Sequence, residues 1–153
     1  MWKRILIHVV TIFVVLQFFR PIKNLSGSAD DSADFLVRHA APVEVRQIFA
    51  AACYDCHSNR TRYPWYAEIQ PFGWWLADHV VDGKAELNLS EFAGYTARRQ
   101  GVKIDSMIEV LEDRSMPLES YTWMHRDAKL TDAQTTMLVN WLEAEREKLD
   151  DAE

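Results

Sequence analysis

The sequence predicts an all-α fold: a helical domain preceded by a single N-terminal transmembrane helix. Three observations predict it. Apolar residues recur at helical spacing in several stretches, and no stretch alternates as a half-buried strand does. Asn or Thr stands three residues before Glu or Gln where capping boxes belong. Five glycines and five prolines in 153 residues are too few for an all-β chain full of turns.

The elements follow in order. After Met1-Trp2-Lys3-Arg4, residues Ile5 to Phe19 are almost wholly apolar, interrupted by His8, Thr11 and Gln17. Residues 1–22 therefore read as a membrane anchor or signal segment. The apolar run is shorter than the roughly 20 residues of a full span, but Trp2, Lys3, Arg4 and Arg20 reach the interfaces and extend it. Ser26-Gly27-Ser28-Ala29 offers small residues for a cleavage site, yet it lies well beyond the run, so an uncleaved anchor is expected. Residues 23–41 are small, polar and acidic, without an apolar period, and read as a linker.

Residues 42–150 form the expected domain. Pro42 suits a first helical position. Val45, Ile48, Phe49 and Ala52 make one apolar face leading into Cys53. A second helix is expected from Pro71, with Phe72, Trp75, Leu76, His79 and Val80 on one face and Gly83 at its end. Asn88 with Glu91 carries a capping pattern. Ile104, Met107, Ile108 and Leu111 repeat the helical spacing. Thr131 with Gln134 opens a last helix to about Leu149, burying Leu138, Trp141 and Leu142.

The formal charge is −6. A domain this acidic is a poor partner for nucleic acid or anionic lipid surfaces, and the acids read as a solubilising surface.

The chemistry concentrates in Cys53-Tyr54-Asp55-Cys56-His57, which holds the only two cysteines. C-x-x-C-H is the attachment signature of a c-type haem. Two thiols at this spacing add across the two vinyl groups, and the next residue brings its imidazole to the iron as proximal ligand. A thioredoxin-like pair sits in a βαβ pattern, which is absent here. A zinc site needs four ligands, and there is no second C-x-x-C. Such attachment takes place outside the cytoplasmic membrane, which orients the chain: the domain is expected on the outer, periplasmic side of a bacterial cytoplasmic membrane, held by a single pass.

The sequence resembles the class I c-type cytochromes, and more closely the small bacterial haem-binding domain family related to them. Phe49, four residues before Cys53, resembles the aromatic of the cytochrome N-terminal helix. Leu138-Val139-Asn140-Trp141 resembles the C-terminal helix that crosses it. Glu86-Leu87-Asn88-Leu89-Ser90-Glu91-Phe92, Tyr63-Pro64-Trp65 and Met116-Pro117 resemble the haem-binding domain pattern. Val45 departs from it, standing where many cytochromes keep a glycine at the helix crossing.

The resemblance implies a cytochrome c-like domain around one haem c, covalent through Cys53 and Cys56. His57 and Met116 are the implied iron ligands. Pro117 stiffens the loop and biases Met116 to an extended backbone. A thioether there raises the reduction potential. Met124, His79 and His125 are the alternatives for the sixth position, while Met107 and Met137 read as core. His39 in the linker and His8 in the membrane segment are given no role. The tryptophans are expected to wall the haem and the core, and Arg60 and Arg62 to be solvated surface.

The function expected is electron transfer with membrane or periplasmic redox proteins, without substrate chemistry. The alternative is a haem-based sensor with a labile sixth site for a small gas. A dihaem peroxidase needs a second C-x-x-C-H, which the sequence lacks.

Overall fold

A computed structural model of the chain describes residues 1–27 and 31–151. Residues 28–30 of the expected linker, including Ser28 and Ala29 of the small-residue stretch, lie outside the described residues. Among those described, every regular element is a helix: α1 (Trp2–Leu16), α2 (Phe35–Arg38), α3 (Val43–Ala52), α4 (Tyr54–His57), α5 (Phe72–Glu86), α6 (Ala97–Glu112), α7 (Glu119–Met124) and α8 (Asp132–Asp150). Short 3₁₀ turns at Trp65–Glu68, Leu89–Gly94 and Arg126–Ala128 join them.

The transmembrane helix is corrected by the structure. α1 is 15 residues long, about 22 Å at the helical rise, against about 30 Å of bilayer core. No helix among the described residues is long and apolar enough to cross a membrane. The expected single-pass anchoring in a bacterial cytoplasmic membrane is therefore not supported, and the periplasmic side, argued from the attachment motif, gains no support from an anchor. The cause lies at Gln17, which interrupts the apolar run. Its side chain accepts from the Gln70 backbone N–H at 2.9 Å, so the helix stops there and the chain turns onto the domain. The Trp74 indole N–H donates to the Phe19 carbonyl at 2.6 Å. Arg20 pairs with Glu68 at 2.7 Å, and Lys23 pairs with the same carboxylate. Every residue of α1 is outside the core.

Helices α6 and α8 pack together. Ile104, Met107 and Leu111 of α6 and Leu138 and Leu142 of α8 are buried in one core, as the periodicity predicts. Thr131 and Gln134 form the expected reciprocal capping box, with the Thr131 hydroxyl accepting from the Gln134 N–H at 3.2 Å. Helix α3 contributes Val45, Ile48 and Phe49 to the same core. Phe49 meets Trp141 edge to face, with centroids 6.0 Å apart and planes at 78°.

The centre of this aromatic cluster comes from the stretch read as linker. Phe35 is 0% exposed and lies 5.9 Å from Phe49, 4.6 Å from Phe92 and 5.4 Å from Trp141. Burying it contributes about 1.5–3 kcal/mol. Asp34 caps α2, accepting from the Leu36 N–H at 2.9 Å. Polar neighbours hide one turn of helix from a periodicity search, because four residues are too few to show a period.

Helix α5 starts after Pro71 and buries Leu76 and Val80 as expected, but it buries Gly73 as well and leaves Phe72 and Trp75 exposed. It runs past Gly83 to Glu86. Asn88 does cap, accepting from the Ser90 N–H at 3.1 Å, but it opens a 3₁₀ turn rather than an α-helix. Glu91 turns away to accept from the Asn59 amide at 2.7 Å.

Candidate haem site

The attachment motif sits at a joint. Helix α3 ends at Cys53, and α4 is the single turn Tyr54–His57 that follows. Both intervening side chains fasten that turn. The Tyr54 hydroxyl donates to the Asp34 carboxylate, 2.8 Å from each oxygen. Asp55 is 5% exposed. Its carboxylate accepts from the Tyr121 hydroxyl at 2.7 Å, from the Arg62 backbone N–H at 3.0 Å and from the Arg62 guanidinium at 3.2 Å. The Arg62 side chain is 61% exposed, as expected of a surface residue, and it is at the same time a partner of the motif. The Asn24 amide donates to the Ser58 carbonyl at 2.8 Å and to the Thr61 hydroxyl at 3.0 Å, bracing the chain beyond His57.

Gly83 is the other support. A Cβ added there would stand 2.9 Å from the Cys56 carbonyl oxygen and 3.2 Å from the Cys56 Cβ. The glycine expected to end α5 instead lets the helix press against the attachment turn.

A cavity of about 260 Å³ opens beside this joint. Cys53, His57 and Met116 all line it, with Phe49, Leu87, Leu89, Met107, Val110, Leu111 and Leu138 giving apolar walls. Lys103, Glu86 and Ser106 supply polar atoms. Cys56 lies behind, against Gly83, and is not part of the lining. His79, His125 and Met124 are placed elsewhere. The His79 ring lies tilted at 44° to the Trp75 ring with centroids 4.2 Å apart, and its Nδ1 lies 2.8 Å from the Trp75 carbonyl. His125 stacks on Tyr121 at 4.1 Å, and Met124 is exposed. No tryptophan lines the cavity, contrary to expectation, and Trp65 and Trp123 face solvent.

The electrostatics separate this pair of thiols from a redox dithiol. Burial pushes the Cys53 thiol up to about 12, with the neighbouring Cys56 adding to the effect. Burial and then the Asp55 charge push Cys56 up to about 11. A reactive C-x-x-C pair has a lowered thiol pKa, so these values point the other way. Burial also lowers the His57 pKa and keeps the ring neutral. Its Nδ1 lies 3.1 Å from the Leu87 carbonyl. An N–H donated there fixes the tautomer and leaves Nε2 with the free lone pair, the arrangement a metal-binding imidazole needs.

Met116 is set by the end of α6. Asp113 accepts from the Ser115 N–H at 2.8 Å, Arg114 takes a left-handed φ of 61°, and the Met116 N–H reaches back to the Val110 carbonyl at 3.2 Å. The chain thereby wraps round the helix end and sets Met116 at the cavity.

The profile of the haem-binding domain family matches residues 11–144. The chain belongs to this family. No curated protein and no solved structure matches it significantly. The residues of this haem-binding domain fit the group its family takes: an apolar cavity bordered by one thiol, one neutral imidazole with a free nitrogen, and one thioether. Among the described residues no cluster of three His, Cys, Asp or Glu side chains could hold a bare metal ion. Sequence reasoning missed the supports: Asp55, Tyr121, Gly83 and the Leu87 carbonyl. A buried acid inside the motif was legible as a residue type; its partner, 66 positions away, was not.

Proposed function

We propose that this haem-binding domain is a monohaem c-type cytochrome that carries electrons. Haem would be tethered through Cys53 and Cys56, with His57 as proximal and Met116 as distal ligand. The observation that carries the reading is that Met116, far from the motif in sequence, lines the same apolar cavity as Cys53 and His57, while the rival ligands do not. The Phe49–Trp141 contact supports a relation to class I cytochromes. The bound group would supply one-electron iron chemistry, and His/Met ligation gives it a high potential. The chain's own work is to hold His57 neutral and oriented through Leu87, to exclude water with the α6 and α8 side chains, and to present a thioether. No acid or base is needed, because no substrate bond changes. Redox proteins are the partners this reading implies.

Two experiments test it. Acid–acetone extraction of the denatured protein is expected to leave the haem on the chain; pigment in the organic phase would refute covalent attachment. Wild type is expected to show the ferric sulfur-to-iron band at the red end of the spectrum and to bind carbon monoxide poorly. Met116→Ala removes the band, lowers the potential and admits carbon monoxide, while Met124→Ala leaves all three unchanged.

One observation favours the second reading, a small-gas sensor. Met116 is 37% exposed, so its hold on the sixth position rests on its loop rather than on burial. Fast carbon monoxide binding by the wild type would put the sensor reading first.

A further inference from the structure

We infer that Tyr121 is a positioning residue for the distal loop, a latch that ties Met116 to the attachment motif through Asp55. The inference rests on the reading of Met116 as distal ligand. The loop runs from the end of α6 to the start of α7. At its first end the Met116 N–H is held by Val110 at 3.2 Å. At its second end the Leu118 carbonyl accepts from the Tyr121 and Thr122 N–H groups at 3.0 and 3.1 Å. Tyr121 is therefore joined by its backbone to the residue two places after Met116, with Pro117 as a stiff link between them.

The Tyr121 side chain carries the constraint inward. Its hydroxyl donates to Asp55 at 2.7 Å, and the two residues are 7% and 5% exposed. Asp55 lies between the two cysteines, and Arg62 holds its other contacts. The Thr61 hydroxyl donates to the Asp55 carbonyl at 2.7 Å and fixes its backbone. The His125 ring, 4.1 Å from the Tyr121 ring at 19°, keeps the phenol aligned. The proximal turn and the distal loop are thus parts of one hydrogen-bonded frame.

That frame answers a question the burial figures raise. Met116 is 37% exposed, so the geometry of its loop sets where its sulfur stands. A hydrogen bond to a buried carboxylate biases an open–closed equilibrium by about tenfold or more. Releasing it frees the α7 end of the loop and leaves the α6 end in place.

The test uses the haem-loaded full chain as wild type, Tyr121→Phe and Met116→Ala. Three readouts are followed: the ferric sulfur-to-iron band, carbon monoxide association with the ferrous protein, and amide hydrogen exchange of residues 113–118. Tyr121→Phe is expected to speed loop exchange and carbon monoxide association by about tenfold or more and to weaken the band, with exchange in α6 and α8 unchanged. Unaltered loop exchange and association in Tyr121→Phe, while Met116→Ala abolishes the band, would overturn the latch and leave Met116 as ligand. If Met116→Ala alters neither band nor association, the ligand reading fails, and with it the inference that Tyr121 positions a ligand. If Tyr121→Phe does not fold, Asp55→Leu takes its place. It removes the acceptor with a side chain of similar shape, so the same changes are expected. Unchanged loop exchange in that variant overturns the latch.

Discussion

Tyr54 and Tyr121 each set a phenol against a buried carboxylate, and this fixes their response to alkali. Burial first, then Asp34 for Tyr54 and the Asp55 hydrogen bond for Tyr121, pushes both phenols far above the ordinary range. The neutral phenol is the form the fold prefers. Its contribution to stability is fully present below about pH 10, the ordinary phenol value, and is lost as pH rises through the folded-state value. Spectrophotometric titration is therefore expected to show these two phenolates emerging only with alkaline unfolding. Tyr121→Phe removes one late-titrating phenol. A simple titration near pH 10 for all five tyrosines would contradict both hydrogen bonds. The attachment motif itself is readable in sequence because its chemistry demands adjacent residues. Its braces are not, since Asp34, Leu87 and Tyr121 are recruited by the chain path rather than by spacing.

Between elements, the crossing of α3 and α8 decides stability. Phe49→Ala or Trp141→Ala is expected to cost about 3–5 kcal/mol. The double mutant should cost less than the two together, because the rings touch; additive losses in denaturant unfolding would count against direct contact. Phe35→Ala is expected to match either, since its ring meets both. The contact between α4 and α5 is tested at Gly83. Gly83→Ala would drive a methyl to 2.9 Å from the Cys56 carbonyl, so the turn or the helix must shift. Lower haem incorporation and a lower melting temperature are expected, with α6–α8 unaffected by hydrogen exchange. Long amphipathic helices such as α6 and α8 were legible because apolar spacing persists over several turns. α2 and α7 span four and six residues and left no period to read. The α5 face was misread because Trp75 and Phe72 looked apolar enough to be core, while Gly73, which has no side chain, takes the buried side.

For the molecule as a whole, the net charge of −6 acts at a distance. On the proposed electron-transfer reading, exchange with a cationic redox partner is expected to slow as salt rises, and exchange with an anionic one to quicken, because screening weakens attraction and repulsion alike. Stopped-flow rates at two ionic strengths decide the sign. The N-terminal segment shows where whole-molecule reading from sequence runs out. An apolar run was visible, but the place where Gln17 and Arg20 turn the chain onto Gln70 and Glu68 depends on residues some fifty positions later.

The wedge of Cys56 against α5 also bears on the order of maturation. Neither thiol of the finished fold is poised to react: both are held protonated, and one is backed by a helix with no room for a methyl. On the proposed covalent reading, thioether formation would belong to the nascent or loosened chain, and closure of α5 would come afterwards as the step that seals it. Haem supplied to the unfolded, reduced chain is expected to become covalent faster than haem supplied after folding. A pulse-chase of haem-stained bands against time of refolding would show which event leads.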